Sequence, residues 1–322
     1  MEANRKLEVI TNSECKAKRT CSRLHYYKYI LGYRVIFKAL PLIFGTAFHA
    51  ALEIWWRTAG NLSKALEAFT GVELDKYDLI RAEELLRGYH FRWGDEEITV
   101  LGVELQFTAP IVHPETGEQL ETSLGGKVDA VVKVGKHVLL PEHKTSSEDV
   151  SPGSNYWRVL LADAQISTYL YGAQFLGFDA RGVLYDVIWK GDMKPKLATP
   201  EDKKRFTKKG ELYANQREAD EPLEEFRERF REHIAENPEK YYRREEIVRL
   251  SNDMDEAALD LWDTATDIEY TRNHPDERTT RSPEACRNYG RLCDFFGVCW
   301  EGEDITTSRR FEKVDRIHTE LD

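Results

Sequence analysis

The sequence predicts an α/β (α+β) fold, a central mixed β-sheet flanked by helices, on two observations. The first is the order of the predicted elements, helix, helix, strand, strand, strand, helix, strand, which is typical of helices packed on a sheet. The second is a β-hairpin in the middle of the chain. Its segments Lys127–Val134 and His137–Lys144 are rich in apolar and β-branched residues, and Gly135-Lys136 between them has the composition of a short turn.

The elements before the hairpin are mainly helical. Thr11 and its polar neighbours offer an N-cap for a helix over 12–31, which carries Cys21. A loop with Pro41 follows, and Gly45–Trp56 predicts a second helix. Asn61–Arg92 is amphipathic and predominantly helical, and Thr99–His113 alternates like a strand.

After the hairpin, the sequence predicts a return to the sheet and then a helical region. Ser146–Arg158 is a polar connection, Asp163–Leu176 a helix and Gly182–Trp189 a buried strand, so that 99–190 forms the core sheet and helix. The rest of a single domain over 1–322 comprises a basic loop at 190–210, a helical segment at 211–275 with helices Glu221–Glu236 and Asp253–Asn273, and a cysteine-containing coil at 286–299.

Charge and cysteine content limit the classes of function. The chain has 46 Lys and Arg against 57 Asp and Glu, a net charge of -11, which by itself argues against nucleic acid as a partner. The charge is uneven, however, because Lys16–Lys38 and Lys190–Gly210 are strongly basic. Without a bilayer-spanning apolar run or a secretory pattern, we expect no membrane partner and a cytoplasmic location, or host cytoplasm for a phage protein. Five cysteines do not predict a disulfide framework.

The hairpin carries the residues on which a catalytic interpretation depends. Residues two apart on a strand share a face, so Glu142 and Lys144 project together while His143 points away. Asp129 on the first strand can reach the same end of the sheet. Two carboxylates beside one ammonium are costly to bury without a partner, and a hard divalent cation such as Mg²⁺ or Mn²⁺ suits them. The alternative is that these charges are solvated at the strand ends.

Two helices add further candidates. His49 lies on an apolar helix, where a lone histidine is more often a core or capping residue. Gln165 and Tyr169 are four residues apart and share a helix face, which alone carries almost no information. The order His, Asp, Glu-x-Lys, Gln-x-x-x-Tyr is far more specific than any part of it.

In this order of motifs the chain resembles the PD-(D/E)XK nucleases of the RecB-like branch. That branch includes CRISPR-adaptation nucleases, AddB-type nuclease domains and phage exonucleases. The matching segments are Gly45–His49, Gly126–Asp129, Glu142–Lys144 and Gln165–Tyr169. The resemblance implies a restriction-endonuclease-like core with helical additions.

The resemblance also implies roles for individual residues. Divalent metal would screen the charge of the phosphate and activate a water, and Lys144 would orient that water or stabilise the charge of the phosphorane. Gln165 and Tyr169 would position Lys144 and the DNA backbone. Glu104 is a further supporting candidate. The implied metal ligands are His49, Asp129, Glu142 and the backbone carbonyl of His143, and the implied catalytic residues are Asp129, Glu142, Lys144, Gln165 and Tyr169.

Four cysteines predict a second metal centre. The chain lacks the closely spaced Cys pairs of common zinc sites, whereas four thiolates suit a [4Fe–4S] cluster. One N-terminal Cys with three C-terminal ones is similar to the iron–sulfur staple of the RecB-like branch, which joins the chain ends. The ligands so implied are Cys21, Cys286, Cys293 and Cys299, without Cys15. The alternative is four unrelated buried thiols.

Together these features predict a metal-dependent deoxyribonuclease, an exonuclease acting in DNA recombination, repair or phage DNA processing. The chain has no G-x-x-x-x-G-K-[ST] motif, so a partner, an annealing protein or a helicase, would supply any unwinding. One alternative is a CRISPR-adaptation nuclease that trims spacer precursors. Another is a catalytically silent DNA-binding assembly subunit. Cleavage polarity, strand preference and oligomeric state stay open.

Overall fold

A six-stranded mixed sheet forms the centre of the protein in a computed structural model that describes residues 9–37, 40–288 and 290–321. The strand order is β1-β4-β5-β6-β7, and β3 pairs with β4. In chain order the strands are β1 (Val9–Thr11), β2 (Tyr33–Val35), β3 (Ile98–Val112), β4 (Gln119–Val134), β5 (His137–Ser146), β6 (Ala180–Trp189), β7 (Tyr242–Ile247), β8 (Arg287–Asn288), β9 (Arg291–Leu292) and β10 (Phe311–Lys313). The helices are α1 (Asn12–Thr20), α2 (Ser22–His25), α3 (Leu40–Arg57), α4 (Leu62–Leu66), α5 (Lys76–Trp93), α6 (Asn155–Val159), α7 (Ala164–Phe175), α8 (Leu223–Glu236), α9 (Pro238–Tyr241), α10 (Ser251–Asn273) and α11 (Phe296–Trp300).

The pairing beside β4 is interrupted. β3 and β5 are antiparallel to β4, β5 and β6 are parallel, and β7 is antiparallel to β6. β5 pairs with β4 only over 132–134, and β1 pairs with β4 over 123–125. Among the described strands, none pairs with residues 126–131 of β4 on this edge, so the sheet has a gap there.

Helices cover both faces of the sheet. His143 of β5 contacts Trp56 of α3, and the next residue, Lys144, contacts Gln165 of α7. Because successive side chains on a strand point to opposite faces, α3 and α7 lie on opposite faces. The main core between these layers includes Phe48, Leu124 and other fully buried apolar side chains.

The predicted fold class is confirmed: a central mixed sheet is flanked by helices. The turn of the hairpin is at Gly135, whose φ of 58° favours glycine. The first strand of the hairpin begins at Gln119, eight residues before the predicted start. Five other predicted elements agree within two residues, namely β3, α7, β6, α8 and α10.

The N-terminal helix differs from the prediction. It ends at Thr20, because Cys21 has an extended backbone (φ -165°, ψ 120°), and the chain continues through α2 into a π-helical turn at Tyr26–Ile30. α3 begins at Leu40, earlier than predicted, with Pro41 in the first turn, where its missing N–H leaves no helical bond unmade. Lys38, part of the predicted basic segment, lies outside the described residues.

The predicted helical segment 211–275 also contains a strand. Tyr242–Ile247 forms the edge strand β7, although four of its six residues are charged. The basic stretch 190–210 is a loop with one 3₁₀ turn at Glu201–Lys203. Of the described helices, none combines the length and apolar character needed to cross a membrane.

The chain ends are held together by direct contacts. β2 pairs with β10, and Tyr27 packs on Phe295 in a small apolar cluster. Glu14 is fully buried, forms an ion pair with Arg272 at 2.9 Å and lies 3.2 Å from His318. Burial alone would lower the pKa of His318, but its contacts with Glu14 and Glu320 outweigh burial and raise that pKa to about 9.

We expect these contacts to make docking of the C-terminal segment depend on pH. An imidazole whose pKa rises from 6.5 to about 9 on folding stabilises the docked state fully below pH 6.5 and loses this effect as the pH passes about 9. Hydrogen exchange of the segment after Phe311 should therefore accelerate from pH 6.5 to 9.5, after correction for intrinsic exchange. In His318→Gln protein the corrected rate should be fast throughout and nearly independent of pH. A wild-type rate that stays constant would contradict the ion-pair account.

Candidate active site

The gap beside β4 brings the predicted acidic residues together. Asp129 lies on β4 in the middle of the gap, and Glu142 and Lys144 lie on β5 where it has separated from β4. The side chain of Asp129 replaces part of the missing ladder, because its Oδ2 accepts a hydrogen bond from the backbone N–H of His143 at 3.0 Å. The fold thus opens the sheet at the predicted site.

Asp129 is held as a carboxylate. Burial alone would raise its pKa, but hydrogen bonds from the ring and the backbone N–H of His143, together with the nearby ring of His49, outweigh burial, so that the pKa lies well below its usual range. The ring Nδ1 of His143 is 3.3 Å from Oδ2, and Nδ1 of His49 is 3.8 Å from the same oxygen. Partial burial lowers the pKa of His49, which favours the neutral imidazole that can bind metal.

A hydrogen-bonded chain runs from β5 to α7. Lys144 forms an ion pair with Oε1 of Glu142, and its Nζ donates to Oε1 of Gln165 at 3.3 Å. Nε2 of Gln165 donates to the hydroxyl of Tyr169 at 2.7 Å. Asp163 caps α7 by accepting from the backbone N–H of Gln165 at 2.9 Å, which fixes where this helix begins. The contacts with Glu142 and Gln165 therefore hold the ammonium of Lys144 from both sides.

Glu142 is the least satisfied group of the site. Its side chain is 3% exposed, and its Oε2 is buried without a hydrogen-bond partner. Burial and the neighbouring charge of Asp129 raise the pKa of Glu142 to about 7, against the opposing effect of Lys144. A buried carboxylate oxygen with no donor is a place that a cation would fill.

The donors of the site fit a divalent cation that keeps much of its water. Among the described residues, no group of three or more His, Cys, Asp and Glu side chains is arranged to hold a metal ion. Mg²⁺ is usually bound through one or two carboxylates and several waters, so Asp129 and Glu142 with the unpaired Oε2 are a sufficient protein contribution.

Glu104 lies beside this site. The register of β3 on β4 places it opposite Asp129, and its carboxylate pairs with Lys127 at 2.5 Å. Its φ of 54° is unusual for a residue other than glycine. Burial raises the pKa of Glu104 in spite of the opposing effect of Lys127.

A buried polar network behind β5 was not predicted from the sequence. Trp56 donates to Nε2 of His143 at 2.8 Å, and Asp186 lies 3.7 Å from the same nitrogen. Asp186 accepts from the hydroxyl of Tyr89 at 2.6 Å and pairs with Arg244 at 3.0 Å. A single aspartate in the apolar strand β6 was a recognisable sign, because a buried carboxylate needs partners. The sequence held no comparable indication for Arg244.

The four predicted cluster cysteines line one small cavity. The cavity has a volume of about 20 Å³, is mainly apolar and lies between α2 and the C-terminal coil. Its cysteines are Cys21, Cys286, Cys293 and Cys299. Burial would raise the pKa of Cys21, but backbone N–H groups, among them that of Ser282 at 3.4 Å from Sγ, outweigh burial and lower it. Cys15 lies elsewhere, buried in the main core, where burial raises its thiol pKa to about 12.

Comparisons with known proteins identify the family. A crystal structure of a candidate exonuclease from Eubacterium rectale is 11% identical, with 90% of this chain and 92% of that chain covered and a TM-score of 0.45. The structure of SSO0001 is 13% identical, with 73% and 77% covered and a TM-score of 0.24. No curated protein matches this chain. Residues 10–299 match the model of the PD-(D/E)XK nuclease superfamily, and the chain belongs to that superfamily.

Proposed function

We propose that this protein is a divalent-metal-dependent deoxyribonuclease, an exonuclease of the RecB-like branch that hydrolyses DNA phosphodiester bonds. The observation that carries the proposal is the meeting of Asp129, Glu142 and Lys144 in one gap of the sheet, with Oε2 of Glu142 unpaired. Recombination, repair or phage DNA processing is the setting that the RecB-like resemblance implies.

Asp129 and Glu142 would hold Mg²⁺ or Mn²⁺, with the backbone carbonyl of His143 and with His49. When bound, such an ion lowers the pKa of a water and neutralises charge that develops on a phosphate. The pKa of Asp129 lies well below its usual range, whereas burial and the charge of Asp129 raise the pKa of Glu142 to about 7. Because metal binding must displace the remaining proton from Glu142, we expect affinity for metal to rise with pH.

The residues of α7 would act through Lys144. Burial would lower the pKa of this lysine, but the charge of Glu142 outweighs burial and raises it, so the group stays an ammonium. A fixed ammonium beside the reacting phosphate stabilises negative charge without reorganisation during the reaction. Gln165 accepts from that ammonium, and Tyr169 in turn orients the amide of Gln165.

We further propose that the cysteine cavity holds a [4Fe–4S] cluster. The four thiols share one cavity, and those of Cys286 and Cys299 are close enough to influence the pKa of Cys293. In a [4Fe–4S] cluster each thiolate binds a different iron, so the four thiolates lie farther apart than the ligands of a single ion. Backbone N–H groups directed at Cys21 favour its thiolate.

The nuclease proposal predicts the effect of three substitutions. With Mg²⁺ or Mn²⁺, Asp129→Ala and Glu142→Ala should lose both metal binding and DNA cleavage. Lys144→Ala should still bind metal but cleave at least about a hundredfold more slowly. Calorimetric metal titration beside digestion of end-labelled single- and double-stranded DNA separates these effects. Lys133→Ala, an exposed substitution on the same strand as Asp129, is the control. Undiminished cleavage by folded Asp129→Ala protein would refute the assignment.

Metal should also stabilise the folded protein. At pH 8 Glu142 is ionised with one oxygen unpaired, so a bound cation relieves a cost that the free protein carries. At a metal concentration about 100 times the Kd, the free energy of unfolding should increase by about 2.7 kcal/mol. Thermal unfolding should show a smaller increase at pH 5.5, because protons compete, and none in Asp129→Ala protein. An equal increase in Asp129→Ala would place the metal elsewhere.

The cluster proposal predicts which thiols hold iron. Protein purified without oxygen should be brown and contain about four irons per chain. Cys21→Ser, Cys286→Ser, Cys293→Ser and Cys299→Ser should each remove the colour and loosen the chain ends. Cys15→Ser should keep both colour and activity. Metal analysis that finds zinc and no iron would overturn the cluster proposal but leave the nuclease proposal intact.

A further inference from the structure

His143 occupies the middle position of the Glu-x-Lys motif, and its side chain points away from Glu142 and Lys144 into a buried pocket. The side chain is 4% exposed and lies between Asp129 on one side and Trp56 with Asp186 on the other. The nuclease proposal uses only the backbone carbonyl of this residue. The buried ring is therefore a polar group with no assigned role.

The hydrogen-bond donors around the ring decide where its proton lies. An indole N–H can only donate, so Nε2 of His143, at 2.8 Å from Nε1 of Trp56, must accept and carries no proton. The proton of the ring is then on Nδ1, which is 3.3 Å from Oδ2 of Asp129. Since the backbone N–H of His143 donates to the same oxygen at 3.0 Å, one residue fixes Oδ2 with two donors.

We propose that Trp56 is a positioning residue for metal binding: its indole N–H fixes the tautomer of His143, and the Nδ1–H of His143 then orients the carboxylate of Asp129. This inference rests on the proposed role of Asp129 as a metal ligand. The orientation of a ligand by such a relay commonly changes metal affinity by tenfold or more.

The neighbouring carboxylate explains why the indole is needed. Oδ2 of Asp186 is 3.7 Å from Nε2 of His143, on the side of Trp56. If the indole N–H were absent, a proton on Nε2 would point toward Asp186. Nδ1 would then present a lone pair to Oδ2 of Asp129, and this repulsion would turn the carboxylate away. Tyr89 and Arg244 already engage Asp186, which leaves Trp56 as the donor to Nε2 among the contacts described for this ring.

The test uses two adjacent tryptophans of α3. Trp56→Phe removes the donor and keeps an aromatic ring. Trp55→Phe is the matched control, because Trp55 is equally buried and its Nε1 donates to Nδ1 of His90 at 3.1 Å. Nitrogen NMR of the histidine rings in the metal-free protein reports which nitrogen of His143 carries the proton, and calorimetry with Mn²⁺ reports affinity.

In wild type and in Trp55→Phe we expect the proton on Nδ1. In Trp56→Phe we expect the proton on Nε2 and an affinity for Mn²⁺ that is lower by about tenfold or more. A proton on Nε2 of His143 in the wild-type protein would overturn the inference. This measurement is decisive even if the Trp56→Phe protein fails to fold. Equal Mn²⁺ affinity in the two variants would also overturn it. If NMR and calorimetry give the expected results but the wild-type protein does not cleave DNA, the nuclease proposal alone is refuted.

Discussion

The active-site geometry depends on the gap in the ladder beside β4. A regular ladder would keep neighbouring strands about 4.8 Å apart and leave no room between them for a carboxylate. Here β5 leaves β4 beyond Leu139, and β1 takes up the same edge only at Gly125. The backbone N–H of His143, exposed by this separation, needs an acceptor, and Asp129 supplies it. The separation that opens the site thus also orients one of its acids.

This arrangement buries charged groups, which destabilises the fold, and the surroundings of the two buried carboxylates Asp186 and Glu142 differ. Asp186, fully buried behind β5, has Tyr89 and Arg244 on Oδ2, while its Oδ1 is buried without a hydrogen-bond partner. Glu142 has Lys144 on one oxygen and nothing on the other. The two carboxylates differ in their neighbouring charge: Asp186 lies beside the guanidinium of Arg244, whereas the charge of Asp129 adds to burial in raising the pKa of Glu142. Two neighbouring carboxylates support the proposal that Asp129 and Glu142 share a cation and that Asp186 belongs to the scaffold.

The sequence predicted those parts that depend on local pattern. The hairpin, the shared direction of Glu142 and Lys144 and the helix with Gln165 and Tyr169 follow from periodicities of two and of about 3.6 residues. The gap beside β4 could not be predicted, because it arises where two strands distant in sequence share one edge. β7 was missed for a related reason: its charged residues are typical of a solvated helix until Arg244 is seen to pair with Asp186 on β6.

The break at Cys21 connects the fold to the second proposed centre. A continuous helix over 12–31 would place Cys21 in the middle of a helix. Instead its backbone is extended, and its thiol accepts a hydrogen bond from the backbone N–H of Ser282, 261 residues away. Among the described residues, three buried apolar side chains, Tyr27, Phe295 and Phe311, form the core at this junction. Such a small core stabilises little by itself, and a cross-link that closes a long loop removes much of the entropy of the unfolded chain. A thiolate-bound cluster in the cavity would supply such a cross-link. Glu14 contacts Arg272 and His318 nearby, so the cluster would reinforce a junction that ion pairs also hold.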